Sequence, residues 1–454
     1  MYQSINPATA TLIERFPLAT EAEIDAAIGR SELAYRSWRQ TSLAERSRVL
    51  REAAAIFAAR LDELALIITE EMGKRIDESR GELQLVIDIF SYYADRGPDF
   101  LAEDPIDIDG GRAYIRKEPI GPILGIMPWN YPYYQVARLA APNLLLGNTI
   151  LLKHASNCGR AAAAIEQVMH DAGLPVDAYI NLYAGSQQLG SVLADDRVCG
   201  VSLTGSERAG AAVAELAGKH LKKVVLELGG SDPFIVLDTD DLAGVVRVAA
   251  ASRMGNTGQA CNAPKRMIVM ADLYDEFVTQ LTGLLKQYQP GDPALPETTL
   301  APLSSQVAVD EFEAQIADAV DKGATLHTGG DEIRHAGAYV APTLLTDVVP
   351  GMHAYDDEIF GPAVVVLRAT SEEEVVRIAN DTKFGLGASV FSTDLDRATR
   401  VAEQLETGMV YINSPSGSQA DLPFGGTKKS GIGRELGALG IEEFMNKKVI
   451  RIAG

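Results

Sequence analysis

Three patterns predict an α/β chain made of two wound, mostly parallel sheets with a small third β element. Short β-branched or apolar runs at 121–127, 149–153, 198–203, 223–228 and 234–237 alternate with helical stretches. Such alternation is what a parallel sheet covered by helices on both faces requires. A second cycle follows Gly230, with helical patterns near 242–254 and 273–287 and strand-like runs near 266–270 and 363–367. Two segments fit neither cycle: 106–117 reads as a hairpin turning at Gly110 and Gly111, and 447–452 as a lone terminal strand. A lone strand leaves backbone donors and acceptors open and needs a partner sheet, which another subunit can supply.

From residue 20 to residue 93 the chain is rich in Ala, Leu, Glu and Arg with apolar positions three and four apart, as in LAERSRVLREAAAIFAARLDELALIITEEMGK. This predicts two or three long amphipathic helices ahead of the first sheet. At roughly 150 residues per domain, 454 residues suggest about three units. The 41 Lys and Arg against 62 Asp and Glu give a net charge of −21, which argues against nucleic acid and anionic membranes as partners. The longest apolar stretch, 139–152, contains Asn143, Gly147 and Asn148 and is shorter than the ~20 residues a membrane helix needs. MYQSINPATATLIERF has no basic start followed by an apolar run, so a cytoplasmic location is expected. Cys158, Cys199 and Cys261 are too few for a disulfide framework, and the six histidines show no ligand spacing, so no metal is expected.

Four strings carry residues suited to chemistry. In NTGQACNAPKR, Cys261 follows a glycine-containing turn where a substrate can approach and backbone amides can receive an oxyanion; a buried free cysteine is the alternative. In VVLELGGSDPFIV, Glu227 sits near the end of an apolar strand, a place that suits a general base, a cap or an ion pair. GIMPWNYPYYQVARL brings a strand into Trp129 and Asn130, and a later strand delivers Lys153, at the sheet edge where ligands bind. SLTGSERAGAAVAELA starts a helix after Gly205 and Ser206, whose free amides suit a pyrophosphate.

The order and spacing of PWN, LTGS, LELGG, NTGQxC, EIFGP and the string LPFGGTKKSGIGRELG at 422–437 resemble the aldehyde dehydrogenase superfamily, as does the 34-residue step from Glu227 to Cys261. The resemblance runs from INPAT at Ile5 to the last strand, and LLKHASN and LELGGSDPFIVL look most like the shorter bacterial succinate-semialdehyde dehydrogenases. It implies a Rossmann-like NAD(P)-binding domain from 1–103 and 121–228, a second α/β catalytic domain at 229–421, and oligomerisation or bridging segments at 104–120 and 422–454. A homodimer or homotetramer is implied with it.

Residue by residue, Cys261 matches the family nucleophile, Asn130 the side-chain oxyanion donor and Glu227 the base that hydrolyses the thioester to a free acid. Branches that pass the acyl group to coenzyme A lack that glutamate. Lys153 matches the residue that holds the adenine ribose, Gly205 and Ser206 the phosphate-facing helix start, and Glu358 the contact to the nicotinamide ribose. Trp129, Leu228 and Phe360 belong to the same cleft. Where NAD-preferring members often carry Lys-Pro-x-Glu, this chain reads Lys153, His154, Ala155, Ser156. Ser156 does not repel a 2′-phosphate, so NADP is expected alongside NAD, with His154 as a neighbour of that phosphate. Arg138 matches an arginine shared by succinate-semialdehyde dehydrogenases and is expected to clamp a distal carboxylate, aided by Ser418. The implied reaction is succinate semialdehyde to succinate, the alternative an aldehyde dehydrogenase of other or broad preference.

Overall fold

The computed structural model describes residues 1–330, 333 and 335–454. Six strands form the first sheet in the order Gly431–Ile432, Lys223–Glu227, Gly200–Thr204, Pro122–Met127, Thr149–His154 and Tyr179–Asn181. All pairs are parallel except the first, in which Gly431 and Ile432 run antiparallel to Glu227 and Leu226. The strand Pro122–Met127 is buried along its length, as a central parallel strand covered on both faces must be. Helix Tyr134–Leu146 covers one face so closely that a Cβ on Gly125 would meet Leu139 Cδ2 at 2.6 Å.

The second sheet has seven strands in the order Thr325–Thr328, Thr343–Thr346, Ala363–Ala369, Pro264–Met270, Asp232–Val236, Ser389–Phe391 and Tyr411–Ile412. Only its first pair is antiparallel. Helices Leu242–Met254 and Ala271–Leu285 cover one face, packing Val246, Phe277 and Leu281 against Phe234 and Met267. Both wound sheets expected from the strand–helix alternation are present.

The hairpin is present as Asp104–Ile106 and Gly111–Pro119, with Gly110 and Gly111 at φ 69° and 142°. Its long arm pairs with the terminal strand Met445–Ala453, so the strand that the sequence left without a partner finds one within its own chain. Asn148 ties this element to the first sheet: its side chain accepts from the Ile120 and Gly121 amides and donates to the Phe444 carbonyl.

Ahead of the first sheet stand four helices, Glu21–Trp38, Leu43–Ala59, Leu61–Met72 and Ile76–Phe100, rather than two or three. The extra break falls at Gly73, whose φ of 81° ends a helix in the left-handed conformation. Just beyond it Lys74 and Glu82 form a fully buried ion pair, with the Lys74 ammonium 3.6 Å from the centre of the Tyr131 ring. Glu82 also accepts from the Tyr133 and Tyr134 amides at 2.8 and 3.1 Å, so it caps the start of helix Tyr134–Leu146. Removing one member of such a pair strands a buried charge. Lys74→Met is expected to destabilise the fold by about 3–5 kcal/mol, and Lys74→Met/Glu82→Gln by less, as read from urea unfolding midpoints.

Candidate active site

Strand direction places the site. Glu227, Thr204 and Met127 end strands of the first sheet, and Asp232, Pro264 and Ala363 begin strands of the second. The carboxyl edge of one sheet thus faces the amino edge of the other. Gly229 and Gly230 cross between them without side chains: a Cβ on Gly229 would lie 2.3 Å from Glu358 Oε2, and one on Gly230 2.6 Å from the Cys261 carbonyl.

Cys261 is delivered by a strained turn. Asn256, Thr257 and Gly258 have φ of 51°, 53° and 76°, three successive left-handed residues of which only the last is a glycine. Side chains from several elements hold the turn. Arg253, wholly buried, donates to the carbonyls of Gly258, Ile359, Gly361 and Ala363. Glu78 accepts from the Asn256 amide, and Thr257 donates to the Ala301 carbonyl. Asn256 Nδ2 donates to the Asn130 carbonyl, while Asn130 Nδ2 donates to the Gln259 carbonyl at 2.9 Å. Gln135 fixes the Asn130 amide by donating to its Oδ1 at 3.0 Å. One N–H of Asn130 is therefore spent on the turn and the other remains for a ligand. Burial pushes the Cys261 thiol up to about 11, with Arg138 and Lys265 pulling the other way.

Glu227 is 1% exposed, and neither carboxylate oxygen has a hydrogen-bond partner among the described residues. Burial raises its pKa well above the carboxylate range against the pull of Arg138, and Glu435 raises it further. A carboxyl so placed caps no helix and pairs with no cation by hydrogen bond among the described residues, and its anion is the stronger base for being buried.

The residues suited to a dinucleotide lie mostly at the carboxyl ends of the first sheet's strands, with Phe360 just ahead of strand Ala363–Ala369. Lys153 is partly exposed at the end of its strand, burial lowers its pKa, and no carboxylate pairs with it among the described residues. Ser206 caps helix Glu207–Lys219 by accepting from the Ala209 amide, and the Gly205 amide donates to the Glu227 carbonyl. Leu228 packs where Gly210 has no Cβ. Trp129 and Phe360 meet edge to face at 5.7 Å, and Ser156 is exposed beyond the strand. His154 does not join them. Its side chain is fully buried, Nε2 meets the Pro132 carbonyl at 2.9 Å, and Nδ1 accepts from the Ala155 amide. Burial pushes its pKa down to about 4, and both ring nitrogens are taken up by backbone groups.

Arg138 likewise departs from its expected place as a free clamp. Buried, it is ion-paired with Glu435, donates to Thr204 Oγ1 at 3.0 Å and to the Tyr134 hydroxyl at 3.2 Å, and lies over the Tyr134 and Phe424 rings. Burial works against its charge, but Glu435 and Tyr134 outweigh it and hold the guanidinium protonated. Tyr134 in turn donates to Ser418 Oγ at 2.9 Å. The sequence reading did not single out Arg253, Lys265, Glu435 or Asp232. Basic residues flanking the Cys261 string were a visible signal for the first two, whereas Glu435 acquires its partner only through the fold.

The chain matches the aldehyde dehydrogenase family over residues 1–450. It is 54% identical to a succinate-semialdehyde dehydrogenase [NADP(+)] of Deinococcus radiodurans over 450 residues, covering 99% of this chain and 94% of that protein. A probable succinate-semialdehyde dehydrogenase [NADP(+)] of Synechocystis is 41% identical, covering 99% of both chains. The crystal structure of the succinic semialdehyde dehydrogenase of Streptococcus pyogenes in complex with NADP+ superposes with a TM-score of 0.98 at 44% identity, covering 100% of both chains. On that match and those identities over nearly its whole length, the chain belongs to the aldehyde dehydrogenase family.

Proposed function

We propose that this protein oxidises succinate semialdehyde to succinate with NADP+, NAD+ being accepted as well. The observation that supports oxidation to a free acid is the buried Glu227 carboxyl, which has no hydrogen-bond partner among the described residues and ends the strand three residues before Gly230, whose Cβ position abuts the Cys261 carbonyl. The substrate and coenzyme are supported by the relatives' named activities. Lys153, Gly205, Ser206, Glu358, Trp129, Leu228 and Phe360 fit the dinucleotide. When bound, it supplies the hydride acceptor.

The Cys261 thiol gives up its proton to solvent and the thiolate sulfur attacks the aldehyde carbon, forming a C–S bond as the carbonyl π pair moves onto oxygen to make an oxyanion. The free N–H of Asn130 and the Cys261 backbone amide receive that charge. Loss of hydride leaves a thioester on Cys261. Glu227 takes a proton from water, the hydroxide attacks the thioester carbon, the C–S bond breaks, and the acid leaves.

At the substrate's far end, Arg138 polarises Tyr134, Tyr134 donates to Ser418, and the Ser418 hydroxyl keeps its own proton for a distal carboxylate. The cation thus acts through two hydroxyls rather than by direct contact. A homo-oligomer is part of the same reading, supported by the strand Met445–Ala453, which has one unpaired edge and exposes Val449 and Ile452.

Glu227→Gln is expected to retain a stoichiometric burst of NADPH and to lose about 10²-fold or more in steady-state rate. Because burial raises the group's pKa, wild-type hydrolysis should climb with pH as the carboxyl ionises, a limb absent from the variant. A burst-free loss would remove the base role. kcat/KM for succinate semialdehyde should exceed that for butanal by about 10²-fold, or ~2.7 kcal/mol, and Ser418→Ala should cut that preference. Equal rates on the two aldehydes would instead leave an aldehyde dehydrogenase of broad preference. Ser156→Glu should lower kcat/KM for NADP+ by about tenfold, ~1.4 kcal/mol, while sparing NAD+. An equal change with both coenzymes would dissociate Ser156 from the 2′-phosphate.

A further inference from the structure

The Lys265 ammonium lies behind the nucleophile, 4% exposed, at the start of strand Pro264–Met270. It donates to the carbonyls of Ala260 at 2.9 Å, Cys261 at 2.7 Å and Ala263 at 3.3 Å, and forms an ion pair with Glu358 Oε1 at 2.9 Å. The same Glu358 oxygen accepts from the Gly230 amide at 3.2 Å. Four acceptors converge on three protons, so the ammonium is shared between the turn that carries Cys261 and the carboxylate assigned to the nicotinamide ribose. Asp232, buried, with Lys265 pulling its raised pKa back down, is a second anion in its field.

Resting on the functional reading above, we propose that Lys265 is a positioning residue that couples cofactor binding at Glu358 to the backbone and charge of the Cys261 nucleophile. Ribose hydroxyls donating to Glu358 draw charge away from its contact with Lys265. The ammonium is then freed toward the Cys261 carbonyl and screens the thiolate more fully. Coupling of this kind is reciprocal, so whatever Lys265 does for the thiol through Glu358 it also does for coenzyme affinity. The charged and titratable groups facing Cys261 are Arg138, Lys265, Glu358 and Asp232, with the Tyr131 and Tyr134 phenols. Of these, only Lys265 contacts both the Cys261 backbone and Glu358.

The test is the pH profile of Cys261 alkylation by iodoacetamide, followed by peptide mass spectrometry, together with the Kd for NADP+ from protein fluorescence. It is run on wild type, Lys265→Met, Lys265→Arg and Lys265→Met/Glu358→Gln. Lys265→Met should slow alkylation at neutral pH by about tenfold, move the thiol titration upward, and weaken NADP+ binding by about tenfold. Lys265→Arg should recover part of both. Lys265→Met/Glu358→Gln should return the thiol titration toward wild type, because one positive and one negative charge have been removed, while NADP+ binding stays weak. A thiol profile unmoved in Lys265→Met, or not restored by the second substitution, overturns the coupling. Should Lys265→Met fail to fold, Glu358→Gln alone must lower the thiol titration and weaken NADP+ binding, and an unchanged thiol overturns the proposal equally. Wild-type Cys261 reacting no faster than Cys158 and Cys199, with no aldehyde turnover, would remove the functional reading and the coupling together; normal wild-type behaviour with unresponsive variants removes the coupling alone.

Discussion

The stretch from Glu227 to Asp232 is the constraint on which the site depends. It leaves the carboxyl end of one parallel sheet and enters the amino end of the other within a few residues, so the two sheets cannot separate far at this point. Glu227 on the first sheet and the Cys261 turn ahead of a strand of the second are therefore tied together by the backbone itself. The glycines in that link allow it: side chains at Gly229 or Gly230 would drive away Glu358 or the Cys261 carbonyl. Fold and chemistry meet in one short segment, and substitutions there cannot alter one without the other.

Around this link the protein holds several buried or largely buried charges. Lys74 with Glu82, Arg138 with Glu435, Lys265 with Glu358, and Arg253 on four carbonyls all lie within the shell that supports the site. Buried pairs are poor sources of net stability, but each constrains geometry because the alternative is an unsolvated charge. Arg253 and Lys265 act mainly on backbone carbonyls, which fits their neighbourhood. A turn with three left-handed residues in succession relaxes unless its carbonyls are fixed.

How much of this was legible in the sequence follows from distance along the chain. Cys261, Glu227 and Asn130 lie in short strings whose turn and strand chemistry places them at sheet edges, and those placements appear in the structure. The wound sheets were legible for the same reason, since their strands and helices alternate locally. His154 was expected beside a phosphate, yet a signal against it was present: successive strand residues point to opposite faces, so with Lys153 partly exposed His154 turns into the core. Arg138 could not have been read correctly. Its fate depends on Glu435, which lies far along the chain, and no local pattern announces that pairing. The terminal strand is the same case, because its partner at Gly111–Pro119 is separated from it by nearly the whole molecule.

The antiparallel edge at Gly431 and Ile432 has a consequence for how the chain is made. During synthesis the strand ending in Glu227 emerges some two hundred residues before the strand that covers its edge. At roughly 5–20 residues per second that interval lasts on the order of tens of seconds. Throughout it the first sheet offers an open edge ending at a carboxyl that the finished fold buries, and Arg138 lacks its anion. The first sheet therefore matures after the second, although most of it is translated before the second. A ribosome stalled before the final strands would carry a sheet with an unpaired edge, the form most prone to join a neighbour of its own kind.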